Sequence, residues 1–267
     1  MEGGFVAGER GGGGGRYSLQ PRVSMDEDIL FCIDVDREAH SEMKASSSKS
    51  TQNHHPPITR LDAIKQSLIL FIHCKLTMNP NHRFAFAALS HSASCIRKEF
   101  SGDVDAAMAS ISSLTADSLY IRADLTQLFK MAAHEAKRSR SQSRILRVIL
   151  IYCRSSVVPE FHWSENQKLF TFDAMYLHEK PSRDNCPQKV YDALVDALER
   201  VSEYEGYIVE SGVGLARVLF RHMCVLLSHP QQRCLQDDLD IPKSLTKKAP
   251  ANAETTGRED EGNPANN

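Results

Sequence analysis

The sequence predicts an α/β domain built on a doubly wound, mostly parallel sheet with one antiparallel edge strand and helices on both faces. From residue 28 onward, short apolar runs typical of strands alternate with longer segments whose apolar residues recur at helical spacing. The run Ile145–Tyr152 is almost continuously apolar, which predicts a central strand covered on both sides. A chain of 267 residues can bury one sizeable core, so we expect one main domain.

The first half of the predicted domain contains a strand, a helix and a hairpin. The apolar run at residues 29–33 predicts the first strand. Thr59 and Asp62 have the spacing of a capping box, which predicts that the first helix begins directly after Thr59. Two strand-like segments, 83–89 and 93–100, lie close enough along the chain to predict the antiparallel hairpin at the sheet edge.

The second half of the predicted domain continues the alternation of helices and strands. The basic run KRSRSQSR at 137–144 is interpreted as a solvated loop before the central strand, because charged runs usually lie in water. The last helix is expected to stop at His229-Pro230. The other predicted elements are helices at 104–114, 125–137, 190–201 and 215–227 and strands at 172–177 and 206–209.

The predicted domain spans residues 26–230 and lies between two segments of low complexity. Residues 1–25 form a glycine-rich arm and residues 231–267 form a polar tail. Neither composition buries enough apolar surface to order the chain, so both segments are predicted to be largely disordered. A long serine-rich stretch at 39–57 predicts a flexible loop within the domain.

Composition narrows the functional classes. The formal net charge is −2 with 25% charged residues, so no direct binding of nucleic acid is expected. No apolar run approaches the roughly 20 residues that cross a bilayer, so no membrane association is expected. The seven cysteines contain no CxxC pair, which favours reduced thiols, and the first residues lack the pattern of a signal peptide. These features predict a nuclear or cytoplasmic protein.

Three carboxylates, Asp34, Asp36 and Glu38, alternate along the chain where the first strand ends. Ligands of parallel α/β sheets collect at this edge, so the acidic tip formed by these three residues is the first place to look for a site. It has three interpretations. It could hold a divalent metal as in von Willebrand factor A domains, it could be the start of an aspartyl phosphatase of the haloacid dehalogenase type, or it could serve only local structure.

The residues that should complete a metal site or a phosphatase are missing from the later strand ends. A von Willebrand factor A metal site needs a further Asp after the central strand, where this chain has Cys153-Arg154-Ser155-Ser156. The phosphatase needs a downstream acidic pair for magnesium, and the later strand ends have none. We therefore predict no catalytic residue and no bound metal, and interpret the tip as carboxylates that cap the next loop, stay solvated or pair with a base such as Arg154.

The acidic tip, the order of the elements and the run LLSHPQQR together resemble one family. It is the von Willebrand factor A-like scaffold subunit shared by the BRISC deubiquitinase assembly and the DNA-repair A complex organised around the breast-cancer susceptibility protein. The resemblance covers about residues 26–233 and includes the runs LTQLF, RILRVILIYCR and FDAMYLH.

The resemblance implies a non-enzymatic scaffold that stabilises a ubiquitin-chain deubiquitinase complex linked to the DNA damage response. It implies direct contact with the subunit that carries ubiquitin-conjugating-enzyme-like domains, and indirect association with a zinc metalloprotease deubiquitinase and its inactive scaffold paralogue. No cofactor is expected. The alternative is a metal-dependent von Willebrand factor A ligand-binding domain that uses the acidic tip. The segment matched to the family's proline-containing motif, and expected to dock on the partner as a projecting segment, consists of His229, Pro230, Gln231, Gln232 and Arg233.

Overall fold

The structure, a computed structural model, divides the chain into two compact units, Met1–Arg233 and Cys234–Asn267. In the second unit the described residues form one 3-10 turn, Gln236–Asp238. The predicted arm, residues 44–56 of the predicted flexible loop and the tail from residue 240 lie outside the described residues. The structure describes residues 26–43, 57–164, 168–212 and 216–239.

A six-stranded sheet forms the centre of the first unit. Its strands are β1 (Glu27–Asp34), β2 (Arg83–Leu89), β3 (Ala93–Ser101), β5 (Ile145–Tyr152), β7 (Thr171–Leu177) and β8 (Ile208–Ser211), while β4 (Ala123–Asp124) and β6 (Pro159–Glu160) pair separately. The order across the sheet is β3-β2-β1-β5-β7-β8. All neighbours are parallel except β2 and β3. The predicted fold class is therefore confirmed, including the antiparallel edge.

Five α-helices accompany the sheet in the described part of the chain. They are α1 (Arg60–Met78), α2 (Val104–Ser112), α3 (Thr126–Ser141), α4 (Pro187–Val201) and α5 (Ala216–Val225). The predicted capping box of α1 is present, because the Thr59 hydroxyl accepts from the Asp62 amide while the Asp62 carboxylate accepts from the Thr59 amide. Within the described residues, no helix is long and apolar enough to cross a membrane.

Helices cover both faces of the sheet, as the apolar run of β5 predicts. On one face, Phe71 of α1 packs edge-on against Phe31 of β1, with 5.5 Å between ring centroids. On the other face, Phe129 of α3 packs edge-on against Phe172 of β7 at 5.4 Å. Strands β1, β5 and β7 lie between these layers, so the groups at their ends are shielded from water.

The basic run at 137–144 is not the solvated loop that the charge pattern predicts. Helix α3 continues through Ser141, because Lys and Arg are good helix formers and the helix needs no apolar residue on its outer side. The chain reverses at Ser143, which has a positive φ of 57°. Arg144 then turns inward, where its Nε donates to Asp28 Oδ1 at 2.7 Å. The last basic residue of the run is thus buried and paired.

Candidate functional site

The acidic tip lies at the carboxyl end of β1, between β2 and β5. Asp34 is the last residue of the strand, and Asp36 is the N-cap of the 3-10 turn Arg37–His40 that follows. Asp34 and Asp36 are both 0 to 1% exposed. The sequence therefore places the carboxylates at the expected edge, but the fold buries the first two of them.

Arg154 pairs with Asp34 in a fully buried ion pair. Its Nη2 and Nε donate to Asp34 Oδ1 at 2.9 and 3.0 Å, and both side chains are 0% exposed. The other guanidinium hydrogens reach backbone carbonyls: Nη1 donates to Arg122 O at 2.6 Å and Nη2 donates to Ser90 O at 2.6 Å. The interpretation of the tip as a carboxylate paired with Arg154 fits this geometry, but a solvated surface pair does not.

Asp36 and Glu38 hold the loops around this pair. Asp36 accepts the amides of Glu38 at 2.9 Å and Tyr120 at 2.7 Å, one on each carboxylate oxygen. Glu38 accepts the Ser155 amide at 3.0 Å on each of its oxygens and the Ser155 hydroxyl at 2.7 Å. These bonds join the loop after β1 to the loops that follow α2 and β5, so both carboxylates act as loop clamps.

A divalent cation does not fit this arrangement. Asp34 Oδ2 accepts the Cys153 amide at 3.0 Å, so all six carboxylate oxygens of the tip already have protein donors. The guanidinium of Arg154 stands where a metal would have to contact Asp34, and it brings positive charge instead of a ligand. Among the residues that the structure describes, no group of three or more His, Cys, Asp or Glu side chains has metal-binding geometry.

The pKa shifts at the tip favour a structural role for these residues over a catalytic one. Burial by itself lowers the pKa of Arg154, but the surrounding groups, with the Asp34 carboxylate first among them, together raise it, so its pKa lies above the ordinary value. Burial, followed by the charge of Asp34, raises the pKa of the Cys153 thiol well above its ordinary value. Arg154 therefore remains charged, and Cys153 is a protonated, poorly reactive thiol.

The segment 229–233, expected to project from the domain, folds back onto it instead. Residues Pro230–Gln232 form a 3-10 turn, and Pro230 is buried. The Arg233 side chain is 0% exposed: its Nη1 donates to Asp173 Oδ1 at 2.6 Å, and its guanidinium lies 4.3 Å from the centroid of the Tyr207 ring. The expectation of a projecting segment is wrong, because Arg233 finds a buried carboxylate partner inside the sheet.

Arg233 joins a second buried charge cluster, at the amino ends of the central strands. Asp173 of β7 also accepts from Arg147 Nε of β5 at 2.5 Å. Arg147 Nη1 lies 3.5 Å from Glu27 Oε2 of β1, and Glu27 in turn pairs with Lys75 of α1. We call these five residues, Glu27, Lys75, Arg147, Asp173 and Arg233, the amino-end cluster.

Sequence reasoning missed the amino-end cluster, although a signal was present. Arg147 and Asp173 are the only charged residues inside the two most strand-like apolar runs, RILRVILIYCR and FDAMYLH, apart from the runs' ends. A charge inside a doubly covered strand must find a partner, because an unpaired buried charge is costly. The two runs alone nevertheless do not say which charges meet.

Only part of segment 229–233 is accessible to a partner. Gln232 is exposed, whereas His229 and Gln231 are half-buried. Gln231 Nε2 donates to the Tyr204 hydroxyl at 2.9 Å, which fixes the turn against the loop before β8. Docking through these residues stays a prediction, now centred on the exposed turn rather than on a free strand.

Relatives of the chain are found by sequence comparison, although no family model matches it. A rat protein is 24% identical over 234 residues, which cover 81% of this chain and 66% of the relative. A human protein is 25% identical over 232 residues, covering 81% of this chain and 68% of the relative. Both are named "BRISC and BRCA1-A complex member 1". The predicted family resemblance is confirmed.

The chain spans about two thirds of the length of the curated relatives it matches. A relative of the same name from Xenopus tropicalis is 24% identical over 232 residues, covering 81% of this chain and 69% of the relative. Among solved structures, the SpRpn10 VWA domain is 13% identical with a TM-score of 0.47, covering 72% of this chain and 93% of that one. The TFIIH p34 N-terminal domain is 12% identical with a TM-score of 0.49, covering 75% and 97%.

Proposed function

We propose that this chain is a non-catalytic scaffold subunit of a multi-subunit assembly of the kind for which its relatives are named. The observation that carries the proposal is the buried Asp34–Arg154 pair. It fills the edge of the sheet where this architecture would otherwise offer a ligand site, and it leaves rigid, well-bonded loops in its place. The similarity to complex members over 81% of the chain supports the same conclusion.

The finer assignments follow from the family resemblance. The assembly is a ubiquitin-chain deubiquitinase complex linked to the DNA damage response, in the nucleus and the cytoplasm. This chain contacts the subunit with ubiquitin-conjugating-enzyme-like domains through segment 229–233, and the zinc metalloprotease and its inactive scaffold paralogue associate indirectly. Because Pro230 and Arg233 belong to the fold, Gln232 at the exposed turn is the residue best placed for specific contact.

Co-purification tests the proposal. The full chain is affinity-purified from its native tissue, and bound proteins are identified by mass spectrometry. We expect a metalloprotease and a subunit with ubiquitin-conjugating-enzyme-like domains in the eluate, with chain-cleaving activity in the complex and none in the isolated chain. Hydrolysis of ubiquitin chains by the isolated chain, or an eluate without both partners, would overturn the proposal.

A point substitution tests the docking segment more cleanly than a truncation, because truncation from Pro230 would remove the buried Arg233 side chain. Gln232→Lys is expected to lower recovery of the partner by about fivefold, since a charge at an interface contact is costly to desolvate. The matched control is Gln188→Lys, an exposed glutamine on α4. Equal recovery with both variants would assign docking to another surface.

A further inference from the structure

We propose that a groove between β3 and α3 binds an acidic segment of a partner protein through a bulky apolar side chain of that segment. The groove has a volume of about 370 Å³ and reaches the core. Its floor is formed by Leu30 and Ala85, and its walls include Phe100 and Met131. This surface is separate from the acidic tip and from segment 229–233, and its proposed role does not depend on the function proposed above.

The groove exists because β3 does not follow β2 regularly. Its register shifts between Phe84 and Phe86 and again between Phe86 and Ala87, so the outer strand bulges away from a flat sheet. On the face that α3 covers, this leaves a gap beside the helix instead of a closed layer. The floor residues Leu30 and Ala85 are only 4% and 1% exposed, so a single large side chain could cover them.

The rim of the groove is positively charged. Arg97, Lys98 and Lys130 line it, and none of the three forms an ion pair within the described part of the chain. Glu135, the carboxylate that also lines the groove, accepts from Arg138 Nη1 at 2.8 and 3.1 Å and is thereby neutralised. An apolar floor inside a basic rim is complementary to a partner that surrounds an apolar side chain with carboxylates.

Insertion of a side chain fits this edge better than addition of a new strand. Bulges and exposed lysines are features by which sheet edges resist pairing with other chains, and β3 has both, with Lys98 exposed. Cys95 Sγ lies 3.3 Å from Met131 Sδ at the groove wall. Flexible, polarizable sulfur side chains adapt readily to different apolar partners, which favours a pocket for one anchor residue.

Peptide binding to the full chain tests the proposal. The probe is a fluorescein-labelled peptide of sequence Glu-Asp-Leu-Phe-Glu-Asp, followed by fluorescence anisotropy up to about 1 mM, the range of weak single-segment contacts. Two control peptides separate the apolar contribution to binding from the electrostatic one. Glu-Asp-Ala-Ala-Glu-Asp lacks the apolar anchors, and Lys-Lys-Leu-Phe-Lys-Lys reverses the charge. We expect saturable binding of the first peptide and affinities lower by about tenfold for both controls.

Variants locate the binding site. The double change Lys98→Glu with Lys130→Glu is expected to weaken the probe by about tenfold, and Met131→Glu should act in the same direction by placing a charge in the wall. The control is Lys180→Glu with Lys189→Glu, two exposed lysines elsewhere on the surface. Urea unfolding of every variant verifies that it is folded.

Several results would overturn the proposal. Absence of saturable binding, equal binding of the alanine control, or equal loss in both lysine double variants would each do so. Sedimentation velocity tests whether a second copy of this chain occupies the groove. A dimer that Met131→Glu dissociates would assign the groove to that second copy instead of an acidic partner.

Discussion

The two ends of the central strands both bury charge, but they do so in different ways. At the carboxyl end, Asp34 has one cationic partner, Arg154, and every other contact of its carboxylate is a backbone amide. At the amino end, Glu27 pairs with Lys75 and Arg147, and Asp173 pairs with the same Arg147 and with Arg233. Removal of Arg154 leaves Asp34 without a cationic partner, so it should destabilise the carboxyl end strongly. At the amino end each carboxylate has two cationic partners and keeps one when Arg147 is removed.

This difference indicates different roles for the two ends. The tip fixes three loops around one arginine, and each of its carboxylate oxygens accepts at least one hydrogen bond from the protein. The amino-end cluster connects β1, β5 and β7 to α1 and, through Arg233, to the last turn of the first unit. A partner bound at segment 229–233 would therefore contact residues that are anchored directly in the sheet.

The largest expected effect is that of Arg154→Met. It leaves Asp34 as an unpaired buried carboxylate, so the free energy of unfolding should fall by about 3–5 kcal/mol. The measurement is urea unfolding at pH 7, with Asp34→Asn combined with Arg154→Met as the control. The double variant should regain part of the loss: the buried charge is gone, but the asparagine NH2 faces one of the two backbone amides that the Asp34 carboxylate accepts. A double variant as unstable as the single one would contradict the assignment of the cost to that charge.

Arg147→Met should cost less, although Arg147 is also 0% exposed. After its removal Glu27 keeps Lys75 and Asp173 keeps Arg233, so we expect a loss of about 1–3 kcal/mol in the free energy of unfolding. The same urea titration compares it with Arg154→Met. If the two losses are equal, shared partners give the amino end no protection and the contrast between the ends does not hold.

The free energy of unfolding should decrease with falling pH because of His82, a buried histidine at the amino end of β1. Burial, followed by the charge of Lys75, lowers the pKa of His82 to about 4 from 6.5, and its Nδ1 accepts the Glu27 amide at 3.1 Å. The unfolded chain therefore takes up a proton between pH 6.5 and 4 that the folded chain does not, so stability is lost as pH falls through this window. Unfolding midpoints at pH 7 and pH 5 measure the slope.

His82→Asn separates this contribution from the others, since asparagine keeps an acceptor without titrating in this range. The slope should become flatter, with a residual part from His222, whose pKa burial also lowers to about 4. The surface variant Gln188→Lys, which adds no group that titrates between pH 5 and pH 7, should leave the slope unchanged. An unchanged slope in His82→Asn would contradict the assignment of the pH dependence to His82.

The smallest effect is expected for Glu38→Ala at the outer part of the tip. Glu38 is half-buried and clamps Ser155 through hydrogen bonds without a buried ion pair, so its loss should cost about 1 kcal/mol. Exchange of the Ser155 amide hydrogen should accelerate in the variant. A cost as large as that of Arg154→Met would mean that the loop clamps, and not the buried pair, hold the tip together.

Local patterns predicted much of the fold and part of the site. The spacing of Thr59 and Asp62 predicted the start of α1, and the short interval between two strand-like runs predicted the β2–β3 hairpin. The sequence also shows Arg154 at the position where a metal ligand is expected, because the ends of β1 and β5 can both be recognised from their apolar runs. These features depend on neighbours along the chain or on one known sheet edge.

By itself, the sequence determined the alternation of strands and helices, the doubly covered β5 and the position of the acidic tip. Only the tertiary structure decided that Arg233 turns inward, that α3 extends through the basic run, and which charges pair at the amino ends. The physical reason is that Asp173 and Arg233 are 60 residues apart and meet only after a crossover and a returning helix have packed. Burial then makes pairing obligatory, and no local pattern encodes which distant partner will satisfy it.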